Sequence, residues 1–177
     1  MLPNTFEAGA RRSSSRGAVQ VLEIALEVNG RLFRNACDGV TAEDFSVRVT
    51  DRMNPMLWIA GHIARMREHM ARLLDAFLDD HSDDQRMRAF DQPFDPKASY
   101  PEKDEILAAW NEVTWALHSR LRVASEADLT CPAPMAFPVG EQTIGDSLSF
   151  FVQHEGHHVG QLALLRRALG YEPARYA

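Results

Sequence analysis

The sequence has little cysteine, no long apolar run, no excess of basic charge and no sustained alternation of apolar and polar residues. Each absence closes off a class of protein. The two cysteines, Cys37 and Cys131, stand far apart without a Cys-x-x-Cys pair, so neither a disulfide framework nor a sulfur-ligated zinc site is indicated. Both are read as small buried or loop residues. No stretch approaches the roughly 18 uninterrupted apolar residues of a membrane span. Arg11, Arg12 and Arg16 surround Ser13-Ser14-Ser15, but no apolar run follows of the kind a secretory signal needs. A cytoplasmic protein is therefore expected. Nineteen Lys and Arg against 25 Asp and Glu leave a formal charge of −6, the wrong sign for holding nucleic acid through its phosphates. With 177 residues, 45% of them hydrophobic, the chain has enough material for one core. Residues 17–177 read as a single domain behind a flexible tail, 1–16.

What is present is helical spacing, which makes the fold class all-α. A first helix runs from about Ala18 to Cys37, with Leu22, Leu26, Asn29, Phe33 and Ala36 on one face, and ends at Asp38-Gly39. Asn54 as cap and Pro55 in the first turn open a second helix, whose stripe is Trp58, Ile59, His62, Met66, His69 and Leu73. The acidic segment Asp79-Asp80-His81-Ser82-Asp83-Asp84 then leads through a polar connection to Ser99-Tyr100-Pro101. A connection of about twenty residues suits a crossover along a bundle, with the second and third helices running the same way. Ile106, Trp110, Val113, Leu117 and Leu121 mark the third helix as core scaffolding. A proline-rich stretch from Cys131 to Pro138 precedes Thr143-x-x-Asp146, a capping box that opens the last helix, and Gly170 stops that helix after Leu169. Four such helices pack most simply as a four-helix bundle.

Histidine is the residue out of line. There are seven, three of them in His154-Glu155-Gly156-His157-His158. At 100° per residue, His154 and His158 share one face, about 40° apart and one turn offset. Phe150, Phe151 and Ser147 continue that face in one direction and Gln161 and Leu165 in the other, so both rings point into the bundle. Two inward imidazoles at this spacing suit a zinc, nickel or iron(II) ion, and a third ligand from a facing helix would complete an open shell. His62, among Trp58, Ile59 and Met66, is the candidate; His69 is a weaker competitor. The alternative is a set of hydrogen-bonded core histidines. His157 falls on the flank, where packing or a subunit contact is expected, and His81 and His118 read as surface residues. Asn29 is read as bonding a buried backbone group in preference to lining a cavity.

The same segment satisfies the His-Glu-x-x-His pattern of zinc peptidases. The extended variant needs Gly and His where Gln161 and Leu164 stand, and no acidic residue but Glu172 follows His158, so peptidase activity is disfavoured. A carboxylate-bridged di-iron site needs Glu-x-x-His twice, and the pattern occurs once, at Glu155 to His158.

Trp58-Ile59-Ala60-Gly61-His62, with His154-Glu155-Gly156-His157-His158-Val159-Gly160-Gln161-Leu162 and the trailing Leu165-Arg166-Arg167-x-x-Gly170, resembles the DinB/YfiT-like metalloenzyme family over nearly the whole chain. The resemblance implies an up-down-down-up bundle, a homodimer and a divalent metal held by His62, His154 and His158. It also implies transfer or isomerisation with a low-molecular-weight thiol such as bacillithiol, mycothiol or glutathione, acting on a small-molecule substrate. Metal-dependent hydrolysis is the alternative chemistry. Under either, Glu155 is a candidate proton relay and Gln161 a candidate for orienting a ligand or substrate, each weighed against a packing role. A metal-binding structural or sensing protein without turnover is the competing class. Binding to nucleic acid or membrane is not expected.

Overall fold

The computed structural model describes residues 14–75, 84–134 and 141–175. Within them, four long helices carry the fold: α1 (Ser14–Cys37), α3 (Met56–Leu73), α5 (Lys103–Leu121) and α7 (Ile144–Ala168). Three short ones, α2 (Ala42–Ser46), α4 (Gln85–Arg88) and α6 (Glu126–Thr130), sit in the connections, and a single 3-10 turn, Ala89–Asp91, follows α4. No strand forms among the described residues, only an isolated bridge between Pro132 and Thr143. No described helix is long and apolar enough to cross a membrane.

The helix starts show how local chemistry sets the boundaries. Thr143 accepts from the Asp146 N–H while the Asp146 carboxylate takes the Thr143 N–H, the reciprocal box expected from the sequence. Gly170 adopts φ +89 just past the end of α7, a conformation that costs glycine nothing. Two expected starts shift. Pro55, and not Asn54, is the residue flanking α3, and it offers no side-chain cap. The first helix begins at Ser14, so residues 14–16 of the expected tail are helical, while 1–13 lie outside the described residues.

The core falls into two clusters. One gathers Phe33, Trp58, Ile59, Ile63, Phe90, Trp110, Val159 and Leu162; the other gathers Leu22, Leu26, Met70, Leu117, Leu121, Leu148 and Phe151. Each long helix contributes to both, and α1 and α7 meet the clusters in the opposite order from α3 and α5. The two pairs therefore run in opposite directions along the bundle. α3 packs against α5 and α7, and α1 against α7, leaving the side between α1 and α5 comparatively open.

Arg67 and Glu155 lie between the two clusters. Both side chains are fully buried, and the guanidinium grips both carboxylate oxygens, Nε to Oε2 at 2.8 Å and Nη2 to Oε1 at 2.7 Å. Arg67 Nη1 also donates to Thr114 Oγ1 on α5, and Nη2 to the Leu26 carbonyl on α1. One side chain of α3 thus ties down all three other long helices. Asn29 makes a parallel tie, donating to the Val152 carbonyl of α7 at 3.1 Å, the backbone bond expected of it.

Candidate metal centre

α3 and α7 bring His62, His154 and His158 together, with the ligating ring atoms all within 4.8 Å of one another. His154 Nε2 stands 3.1 Å from His62 Nε2 and 3.2 Å from His158 Nε2. The far nitrogens of the outer two rings are already committed. His62 Nδ1 lies 2.8 Å from the Phe90 carbonyl, which can only accept, so Nδ1 carries the proton and Nε2 presents a lone pair. His158 Nδ1 likewise donates to Gln161 Oε1 at 2.8 Å, with that amide turned so that its Nε2 faces His157 Nε2. Two lone pairs are therefore aimed at a third ring nitrogen that has at most one proton to share between them. A cation satisfies all three. For metal–nitrogen bonds of about 2.0–2.1 Å, ligand nitrogens stand roughly 2.9–3.4 Å apart; the separations of His154 Nε2 from the other two fall in that range, and the outer pair lies within 4.8 Å.

The surroundings fix the rings further. Trp58, one turn before His62, stacks on it with centroids 4.9 Å apart and planes 8° from parallel; Phe150 stacks on His154 at 5.8 Å and 13°. All three histidines are half-buried, so the site remains reachable. Burial is the main cause that lowers each of their pKa values below the usual 6.5, with neighbouring histidines adding to the effect. The Phe90 carbonyl partly opposes it for His62 and the Gln161 bond for His158. Neutral rings at neutral pH are the form in which imidazole ligates.

The Phe90 carbonyl comes from the long connection, which the sequence reads as polar and proline-containing. Its described part, from Asp84 on, instead folds into α4 and the 3-10 turn, with Met87 and Phe90 buried. Phe90 lies flat against α3 because residue 61 is glycine: a Cβ there would stand 2.2 Å from Phe90 Cζ. The next residue, Asp91, reaches Arg65 at 2.7 Å and His69 at 3.4 Å. Burial pushes the Asp91 carboxyl up, but the bonds from His69 and Arg65 together outweigh it and bring it down to about 2.

Several expectations move. Glu155, the candidate proton relay, points away from the histidines and gives both oxygens to Arg67, so the geometry does not supply the general base that a His-Glu-x-x-His peptidase requires. His69 is held at Asp91 and by a ring contact with Phe151, outside the triad. His157 is exposed. His118 is half-buried, not a surface residue, and lines a cavity together with Arg67 and residues of α1; His81 lies outside the described residues. Arg67 escaped the sequence reading although a signal existed, since it stands four residues after buried Ile63 and three before buried Met70. Phe90 and Asp91 had no such signal, because a contact across 28 residues of chain is invisible to local periodicity.

A helical bundle with three imidazoles converging between two of its long helices belongs to the class of all-α proteins that build metal sites from side chains on facing helices. The family model described as the DinB superfamily matches residues 25–162, a span that contains all three histidines, and the chain belongs to that superfamily. A search of curated proteins gives no match.

Proposed function

We propose that the protein is a divalent-metal-dependent enzyme of thiol S-transfer or isomerisation, with His62, His154 and His158 as the metal ligands. The observation that carries this reading is the meeting of three ring Nε2 atoms, two of them stripped of their proton by bonds to the Phe90 carbonyl and Gln161 on the far side. A zinc, nickel or iron ion there supplies a Lewis acid that lowers the pKa of a thiol or water joining it. The chain's own part is positional. Phe90 and Gln161 hold the tautomers, Trp58 and Phe150 hold the ring planes, and half-burial leaves an approach for a small-molecule substrate and a low-molecular-weight thiol. Cys37 does not serve as that thiol, because burial pushes it up to about 12 despite the charges of Lys103 and Arg166. In this proposal Gln161 orients His158, and Glu155 takes no proton.

Metal content and thiol consumption with a panel of electrophiles, measured on the native protein and on His158→Ala, test the reading. Near-stoichiometric metal and thiol turnover are expected in the native protein, and both are lost in the variant. Metal without turnover favours a structural or sensing role; no metal in either native or reconstituted protein ends the proposal. A homodimer is part of the same proposal, on the strength of the family resemblance, and sedimentation velocity tests it.

A further inference from the structure

On the side of the bundle away from the histidines, α1 and α5 diverge and leave a furrow. Its middle section is a cavity of about 400 Å³ floored by Leu26, Gly30 and Arg67 and walled by Arg34, His118 and Arg122, with Trp115 at the mouth. It continues past Arg34 and Asn111 into a second cavity of about 390 Å³ ending at Lys103 and Asp38. These volumes are in the range of small-ligand sites.

The charge distribution is unusual for a chain with a net charge of −6. The acid on the wall, Glu27, is paired with Arg31 on the outer face of α1 at 2.5 Å, and Arg67 is neutralised by Glu155. Arg34 and Arg122 have no ion pair among the described residues. Arg34 is nonetheless held in place, its guanidinium lying 5.5 Å from the ring centre of buried Trp110. Both charges are close enough to bear on the His118 ring, whose pKa burial chiefly lowers and the charges of Arg67, Arg122 and Arg34 lower further, with Glu27 opposing them. Trp115 is 74% exposed, whereas Trp58 and Trp110 are buried. A large aromatic face left in water beside two unpaired guanidiniums combines the two elements that recognise a ring bearing an anion.

We propose that this furrow binds a small organic anion with a flat ring, its phosphate or carboxylate between Arg34 and Arg122 beside His118 and its ring against Trp115. The site is separate from the histidine triad and does not depend on the function proposed for it.

Trp115, as the one exposed tryptophan of three, supplies the signal. Titration with phenyl phosphate, benzoate and inorganic phosphate, followed by tryptophan emission and calorimetry, should give saturable binding of a ring-bearing anion, and the first two probes decide the preferred head group. Each of Arg34→Gln and Arg122→Gln should weaken that binding about tenfold or more, since a charge-assisted bond is worth roughly 1.5–3 kcal/mol. Trp115→Leu should weaken the ring-bearing probe while leaving inorganic phosphate unchanged. All three side chains are exposed, so the variants fold, which circular dichroism verifies. His158→Ala should bind phenyl phosphate as the native protein does; a loss there would place the anion at the histidines and overturn the proposal. It also fails if no probe saturates at millimolar concentration, or if the Arg34→Gln/Arg122→Gln double variant binds unchanged. A Trp115 emission that depends on protein concentration would assign the face to a second copy of the chain, and would equally overturn it.

Discussion

The histidines of the triad are neutral at physiological pH because half-burial penalises their charged forms. The consequence for stability has a definite sign. Their folded pKa values lie below the unfolded value of about 6.5, so as pH falls through 6.5 the unfolded chain takes up protons first and the metal-free protein loses stability. His118 adds to the same loss. Asp91 does not interfere, since its carboxyl at about 2 contributes stability that disappears only as pH drops below the usual 3.8. Urea unfolding of chelator-treated protein should therefore show a lower midpoint at pH 5.5 than at pH 7.5. An equal or higher midpoint at pH 5.5 would contradict the environment assigned to these rings.

Among the elements, the short 3-10 turn after α4 has an influence out of proportion to its length. Phe90 places a carbonyl on His62 and its ring in the core, while Asp91 secures Arg65 and His69. The hold depends on the bare backbone of Gly61, since an added Cβ would overlap the Phe90 ring on three atoms at 2.2 to 2.4 Å. Gly61→Ala should cost about 1–3 kcal/mol from overpacking. It should also weaken metal binding roughly 10-fold or more, because the orienting partner of one ligand moves with the ring. Gly160 is the control: it lies in α7 with nothing within 4 Å of an added Cβ, so Gly160→Ala should gain about 0.4–1 kcal/mol. Thermal unfolding and competitive metal titration of both variants decide the matter. Equal metal affinity in the two would show that the turn does not position His62.

For the molecule as a whole, the Arg67–Glu155 pair divides the apolar interior and joins the four long helices. A buried ion pair adds little over a well-packed apolar pair, but losing one partner leaves a buried charge, at a cost of about 3–5 kcal/mol. Arg67→Met should show that loss in urea unfolding, and Arg67→Met/Glu155→Leu should recover much of it. A single variant that loses less than about 1 kcal/mol would mean that Glu155 finds other partners or water.

The sequence by itself determined the all-α class, the apolar stripes of the four long helices, the cap at Thr143 and the stop at Gly170. These follow from interactions within a few residues of chain, where a period of 3.6 or a capping pattern is complete in the local string. It also determined that His154 and His158 share a face, for the same reason. Only the tertiary structure decided which way Glu155 points, since a carboxylate flanked by two inward histidines reads as a catalytic base until a buried arginine from another helix is seen to hold it. The roles of Phe90, Asp91 and Gly61 were likewise decided by packing between segments distant in sequence. So was the furrow between α1 and α5, which exists because these two neighbours in the bundle pack far less closely than α3 against α5, α3 against α7 or α1 against α7.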